Sequence, residues 1–344
     1  MRALVYQGPW KIAVEDRPDP EPAAGEVLIR VLATGICGSD LHGFTGENGR
    51  RHPDQVMGHE FVGTVVAAGP GVTGIEAGRL ATANPVIACQ DCPACRAGSQ
   101  ENCANRRVIG VDPTISAAFA ELILVPSGNV VLLPDDLPPE YGALVEPLAV
   151  GFHAARRGGV AAEDRVLIVG GGPIGQACYL AARRQGATRI VITELDPNRI
   201  RLLTDIGATV INPADTSDLA TAVADRLGGP ADVVIDAVGM DATLAQALDS
   251  SAPGGRIVLV GMQSPKLTVD AYAISTKQRS IIGAFTYSDA EFRETAEWIA
   301  TRPAELARLI EGRVTLADAP QAFADLAGRK NPASKVLVLP AGRV

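Results

Sequence analysis

The chain is poor in aromatic residues and in histidine. Phe, Trp and Tyr make up 4% of its 344 residues, and there are four histidines, His42, His52, His59 and His153. Scarce rings favour a small hydroxyl-bearing ligand over a large flat one, with Phe44, Phe119 and Phe285 as the candidates for lining a pocket. An excess of positive charge is missing too. The formal net charge is −8, so neither nucleic acid nor an anionic membrane, both of which need a basic face, is an expected partner. No apolar run approaches the ~20 residues of a membrane span. The opening MRALVYQGPWKIAVED has no basic stretch followed by an apolar core and cleavage site, so a cytoplasmic location is expected. The rest, 47% hydrophobic and 20% charged, is an ordinary soluble composition whose length suggests about two domains.

Four of the six cysteines, Cys89, Cys92, Cys95 and Cys103, fall within fifteen residues, spaced C-x2-C-x2-C-x7-C. Four thiolates at that spacing can wrap one Zn²⁺ tetrahedrally, and a shell of four protein ligands leaves no position for substrate. Such a metal holds structure. The alternative, two disulfides in a secreted loop, conflicts with the expected compartment. Cys37 and Cys178 remain; Cys178 reads as a small core residue.

The first 130 residues read as short strands between Gly and Pro, among them Glu26–Thr34, Phe61–Ala68 and Phe119–Val125. They suggest a β-rich, barrel-like unit with the cysteine lobe as an excursion. From Pro138 to Arg157 the pattern becomes helical, with an interruption expected around Pro147. Short apolar runs then alternate with helical stretches: Arg165–Val169, Arg189–Thr193, Ala231–Asp236, Arg256–Val260 and Ser280–Ala284. That alternation predicts a doubly wound parallel sheet, α/β in class. Helical stretches at Ala290–Thr301 and Leu316–Gly328 and a strand at Lys335–Leu339 close the chain.

Between the first parallel strand and its helix lies Gly170-Gly171-Gly172-Pro173-Ile174-Gly175, which fits G-x-G-x-x-G, and Glu194 ends the next strand 19 residues later. In this context the glycines serve a tight turn, close approach of backbone to a pyrophosphate, and helix–strand packing. Pro173 and Ile174 open a helix whose free N–H groups face phosphate. Glu194 would bind the adenosine ribose hydroxyls and repel a 2′-phosphate, which favours NAD, while Arg199 leaves room for some NADP use.

Cys37-Gly38-Ser39-Asp40-Leu41-His42 and Gly58-His59-Glu60, extended by Gly63, Gly69 and Val72, complete the motifs. With the lobe and the glycine fingerprint in the same order, the chain resembles the zinc-containing medium-chain dehydrogenase/reductase family essentially end to end, in its alcohol and polyol (sorbitol-dehydrogenase-like) branch. The resemblance implies a GroES-like catalytic barrel with an inserted Rossmann-type domain: residues 1–150 catalytic with the zinc lobe at 89–103, residues 151–285 binding NAD, residues 286–344 returning to the catalytic domain. It implies two Zn²⁺ per subunit. Cys37 and His59 would ligate the catalytic one, with Glu146 at the third position, directly or through water. Glu60 would be a direct ligand or exchange with substrate oxygen. An open zinc with such ligands can lower the pKa of an alcohol enough to form an alkoxide that gives up hydride to NAD. Ser39 would take the proton and pass it through the nicotinamide ribose to His42.

The resulting expectation is a zinc-dependent, NAD-linked dehydrogenase of a small alcohol or polyol, assembled as a homodimer or homotetramer through edge strands near Thr268–Gly283. A sugar acid, a sugar phosphate or an amino alcohol such as threonine is the alternative substrate, and Arg50, Arg51 and His52 could clamp an anionic group or form a solvated loop. A zinc-free quinone or enone reductase and a non-catalytic NAD sensor are the competing classes. Cys37, His59 and Glu146 argue against the first, Ser39 and His42 against the second.

Overall fold

A computed structural model describes residues 1–47 and 49–340. The chain divides into two compact units, Met1–Glu146 with Ser288–Val344, and Pro147–Tyr287. In the first, a seven-stranded sheet runs in the order Val130–Leu132, Leu80–Ala83, Glu60–Ala68, Glu26–Gly35, Val336–Leu339, Gly312–Thr315, with Leu122–Pro126 also pairing Glu26–Gly35. A three-stranded sheet of Lys11–Asp16, Arg2–Gly8 and Gln55–Val56 stands beside it. Register decides what meets at the end of the long central strand. Gly35 pairs Glu60 on one side and Leu337 on the other, so Cys37, His59, Glu60 and Lys335 are brought together from three distant stretches of chain.

The core under this end is apolar and aromatic. Phe44, Phe119 and Phe323 meet edge to face, with centroids 5.6 and 5.3 Å apart, a favourable ring geometry. Phe44 and Phe119 are therefore core residues and not pocket lining, as both are fully buried among Leu4, Met57 and Val338. Phe285 is exposed.

The second unit is a six-stranded parallel sheet in the order Thr209–Ile211, Arg189–Thr193, Arg165–Val169, Ala231–Asp236, Ser251–Leu259, Ser280–Gly283. Its central strands are apolar on both faces, as helix-covered parallel strands must be. The order reverses beside Arg165–Val169, and ligands bind at such a switch point beyond the strands' carboxyl ends. Two expectations are corrected. The expected interruption of the helical stretch is present but falls at Ala143–Leu144, between Pro139–Gly142 and Val145–Arg157, and Pro147 itself lies in the first turn of the second helix, where its missing N–H costs nothing. Thr209–Ile211, too short to show a pattern, is a further strand.

Candidate active site and metal centres

In the lobe, the four sulfur atoms of Cys89, Cys92, Cys95 and Cys103 lie within 4.8 Å of one another. Sγ–Sγ separations are 3.5 Å for Cys92–Cys95 and Cys89–Cys103, and 3.9 Å for Cys89–Cys95. Tetrahedral Zn–S bonds of about 2.3 Å require sulfurs about 3.8 Å apart, whereas a disulfide needs about 2.05 Å. The lobe fits zinc and carries no disulfide. Backbone N–H groups of Asp91 and Cys92 pull the Cys89 thiol down to about 6, and burial pushes the Cys95 thiol up to about 12. The lone Cys178, fully buried in the other unit, is likewise pushed up to about 12 by burial.

The second cluster begins at the N-cap of the helix Gly38–Thr45, which is Cys37. The ligand atoms of Cys37, His59 and Glu60 lie within 4.8 Å of one another. Glu146, in the first turn of Val145–Arg157 and buried, falls outside that trio but lies close enough to act electrostatically on His59 and on Lys335. Burial alone would lower the His59 pKa, yet the Asp40 carboxylate, the Cys37 sulfur and Glu146 together raise it well above its ordinary value. Surroundings that stabilise positive charge on this imidazole attract a metal cation to the same place.

Asp40 serves as a buttress. It is fully buried, accepts the Cys37 N–H at 3.1 Å, and stands 3.7 Å from His59 Nδ1. Burial raises its pKa against the lowering pull of His59 and Arg51. Sequence reasoning missed Lys335. Its buried Nζ donates to Glu60 Oε2 at 2.5 Å and to the Ile36 carbonyl at 3.5 Å. Burial would lower the Lys335 pKa, but Glu60, Cys37 and Glu146 raise it. The acids Cys37, Asp40, Glu60 and Glu146 thus face two cations, Arg51 and Lys335. With the thiol ionised and His59 neutral, as a ligating imidazole is, the group is short of two positive charges, which a dication such as Zn²⁺ supplies. Ser39 and His42, three residues apart on the same helix and so on one face, are both half-buried.

In the other unit the glycine turn is formed. Gly170 has φ +92, and a Cβ on Gly175 would stand 1.9 Å from the Gly170 carbonyl oxygen, so helix and turn meet only because that side chain is absent. Gly172 caps the helix Pro173–Arg184, with Pro173 and Ile174 in its first turn. Glu194 is buried beside the turn: Oε2 accepts the Gly171 N–H at 2.8 Å, and Oε1 those of Leu195 and Asp196 at 2.7 and 2.9 Å. Arg199 Nη1 stands 3.7 Å from Glu194 Oε2. Sequence reasoning also missed Asp236, whose Oδ1 fixes the neighbouring loop by accepting from Val238 and Gly239, both at 2.9 Å. Among the described residues, no helix is long and apolar enough to cross a membrane.

These two sites are those of a metal-dependent dehydrogenase, and comparison with known proteins agrees. Residues 23–135 match the alcohol dehydrogenase GroES-like domain family, and residues 173–301 the zinc-binding dehydrogenase family. L-idonate 5-dehydrogenase from Vitis vinifera is 34% identical over 322 residues, 91% of this chain and 87% of its own length. L-threonine 3-dehydrogenase from Pyrococcus horikoshii is 39% identical over 256 residues, 73% of this chain and 72% of its own. Among solved structures, a protein described as a zinc-binding dehydrogenase from Sinorhizobium meliloti 1021, bound to NADP, superimposes with a TM-score of 0.90 at 34% identity, covering 98% of this chain and 99% of the other. The chain belongs to the zinc-containing medium-chain dehydrogenase/reductase family. It is a zinc-dependent, nicotinamide-linked alcohol or polyol dehydrogenase.

Proposed function

We propose that the protein oxidises a secondary alcohol of a small polyol with NAD, using Cys37, His59 and Glu146 as ligands of a catalytic zinc and Cys89, Cys92, Cys95 and Cys103 as the shell of a structural one. The gathering of Cys37, His59 and Glu60 within 4.8 Å is the observation that carries it. When bound, the catalytic zinc supplies Lewis acidity that makes the substrate hydroxyl a stronger acid. Lys335 holds Glu60 by a charge-assisted hydrogen bond, which would restrain this carboxylate from acting as a permanent ligand and leave it to exchange with substrate oxygen. Ser39 Oγ takes the hydroxyl proton, and the His42 ring, one turn further along the helix, delivers it to water. His42→Ala should then lower kcat about 100-fold or more near neutral pH, with partial rescue by added imidazole. A wild-type kcat would remove His42 from the relay.

Glu194 favours NAD over NADP. Its carboxylate, held against Gly171, keeps a negative charge where a 2′-phosphate would come, and Arg199 beside it supports residual use of NADP. A sugar acid or an amino alcohol is the second reading, because relatives are named for idonate and for threonine. Assembly is through the edge strand Ser280–Gly283 and the exposed Val269 and Tyr272 nearby, giving a homodimer or homotetramer. Clustered free thiols fit a reducing, cytoplasmic setting. The deciding experiment is zinc content per chain together with NADH formation across polyols, secondary alcohols, sugar acids and threonine. Two zinc ions with polyol-dependent NADH is the expected outcome; one zinc and no turnover would overturn the proposal.

A further inference from the structure

The segment linking Gly38–Thr45 to Gln55–Val56 does not behave as a clamp or as a solvated loop throughout. Arg50 and His52 are exposed, but Arg51 turns inward and its side chain retains 2% of its accessible surface. A guanidinium stays wet unless something inside compensates it. Here that group is Asp40. Arg51 Nη2 stands 3.9 Å from Asp40 Oδ1, the same oxygen that His59 Nδ1 approaches at 3.7 Å. The other Asp40 oxygen accepts the Cys37 N–H. Asp40 Oδ1, His59 Nδ1, Arg51 Nε and Arg51 Nη2 are all buried without hydrogen-bond partners among the described residues. Arg51 Nη2 and His59 Nδ1 converge on Asp40 Oδ1, and a closure of about 1 Å would turn both approaches into hydrogen bonds.

The surrounding chain is shaped to put Arg51 there. Gly43 lies three residues after Asp40 on the buried side of the helix, and a Cβ on it would stand 2.6 Å from Arg51 Cγ. On the far side, Gln55 Oε1 accepts the His52 N–H at 3.1 Å while its Nε2 donates to the Val111 carbonyl at 3.1 Å. The Asp54 N–H donates to the Tyr6 carbonyl at 2.8 Å. The other groups acting on Arg51 are Cys37 and Tyr6, which favour the cation, and Arg50, which opposes it.

We propose that Arg51 is a positioning residue of the catalytic metal centre: it holds Asp40 as the charged acceptor for His59 Nδ1–H and so commits His59 Nε2 to the metal. This rests on the assignment of Cys37 and His59 as ligands of that metal. Arg51 supplies the countercharge that lets a carboxylate sit at full burial, and its fixed guanidinium sets where Oδ1 points. Outer partners that fix a ligating histidine in this way are worth about 10- to 100-fold in metal affinity.

The test is competition for zinc by a chelator, with zinc counted per chain, in wild type, Arg51→Met, Arg51→Lys, Asp40→Asn and the double variant Asp40→Asn/Arg51→Met. The cysteine lobe is the internal reference. Wild type should hold two zinc ions. Arg51→Met should release the catalytic ion about 10- to 100-fold more readily, with lobe zinc and NADH binding unchanged, and Arg51→Lys should fall between. In the Asp40→Asn background the same substitution should add less than about twofold, because the effect runs through Asp40. Should Arg51→Met not fold, the double variant, which removes both charges, carries the comparison. Unchanged affinity in Arg51→Met, equal loss from both sites, or a full additional loss in the Asp40→Asn background would each overturn the proposal. A wild type holding only the lobe zinc would instead sink the underlying metal assignment.

Discussion

Replacing Lys335 by Met separates the two things its contact with Glu60 does. Both side chains are almost fully buried, 4% and 1% exposed, and meet at 2.5 Å. Removing one partner of a buried ion pair leaves the other charge uncompensated, at a cost of about 3–5 kcal/mol. In a unit of this size each kcal/mol moves the melting temperature by about 2–4 °C, so the metal-free variant should melt roughly 6–20 °C below wild type. With zinc bound, a dication stands near Glu60 and replaces the lost lysine, and the shift should shrink to roughly half or less. Glu60, no longer held by Nζ, is then free to take the open coordination position, so kcat should fall even where stability recovers. Lys335→Met/Glu60→Gln removes both charges and should regain most of the lost stability. Calorimetry of chelated and zinc-loaded protein reads all of this. The pH dependence has a definite sign. Although burial would lower it, Glu60 raises the Lys335 pKa above 10.5, so this contribution is complete below about pH 10 and is lost only as pH rises through the raised value. The difference between wild type and variant should be flat from about pH 7 to 9. A metal-free Lys335→Met protein melting within about 2 °C of wild type would refute the reasoning, since a charge at that depth cannot go unpaired so cheaply.

Three further outcomes are expected. Glu194→Ser removes the charge beside Gly171 and should shift the NADP-to-NAD ratio of kcat/KM upward about 10- to 100-fold, read by steady-state kinetics with both cofactors; no change would mean the carboxylate does not sense the 2′ position. Gly175→Ala places a Cβ 1.9 Å from the Gly170 oxygen, so NADH affinity, followed by fluorescence, should fall at least about tenfold while zinc content stays unchanged. Cys95→Ser should lose the lobe zinc and lower the melting temperature, because binding energy at a closed site is folding energy; a variant with one zinc fewer and unchanged melting would show that the lobe is not a folding element.

What could be read from sequence was local. The cysteine lobe, the glycine fingerprint with Glu194, and the strands Arg165–Val169, Arg189–Thr193 and Ala231–Asp236 each consist of neighbours whose spacing already contains the geometry. Features made by register were invisible. Lys335 meets Glu60 across 275 positions, and no pattern near either residue announces the other. Arg51 lies in a charged segment, and only the small Gly43 opposite it signals that one of those charges turns inward. Phe44 stands two residues from His42 on the same helix, yet it points into the core with Phe119 and Phe323. Proximity along the chain therefore located the site without saying which side chains face it.

The metal shell owes its character to charges supplied from outside its motifs. Cys37, His59 and Glu60 would by themselves be a set of donors that any first-row dication could satisfy. Lys335 restrains Glu60 and Arg51 faces Asp40, one cation for each acid that could otherwise crowd or misdirect the ligands. Without the dication the acids outnumber Arg51 and Lys335, and a proton held on His59 offsets part of that excess, so binding of the dication, release of this proton and stability of the unit are coupled. It follows that substitutions of the two cations should show their largest effects on stability without metal and on turnover with it. Substitution of Cys37, one of the acids, should do the reverse for stability, relieving the metal-free protein while abolishing the centre. Opposite signs from residues only a few ångströms apart would be hard to obtain from packing alone, because loss of packing destabilises both forms alike.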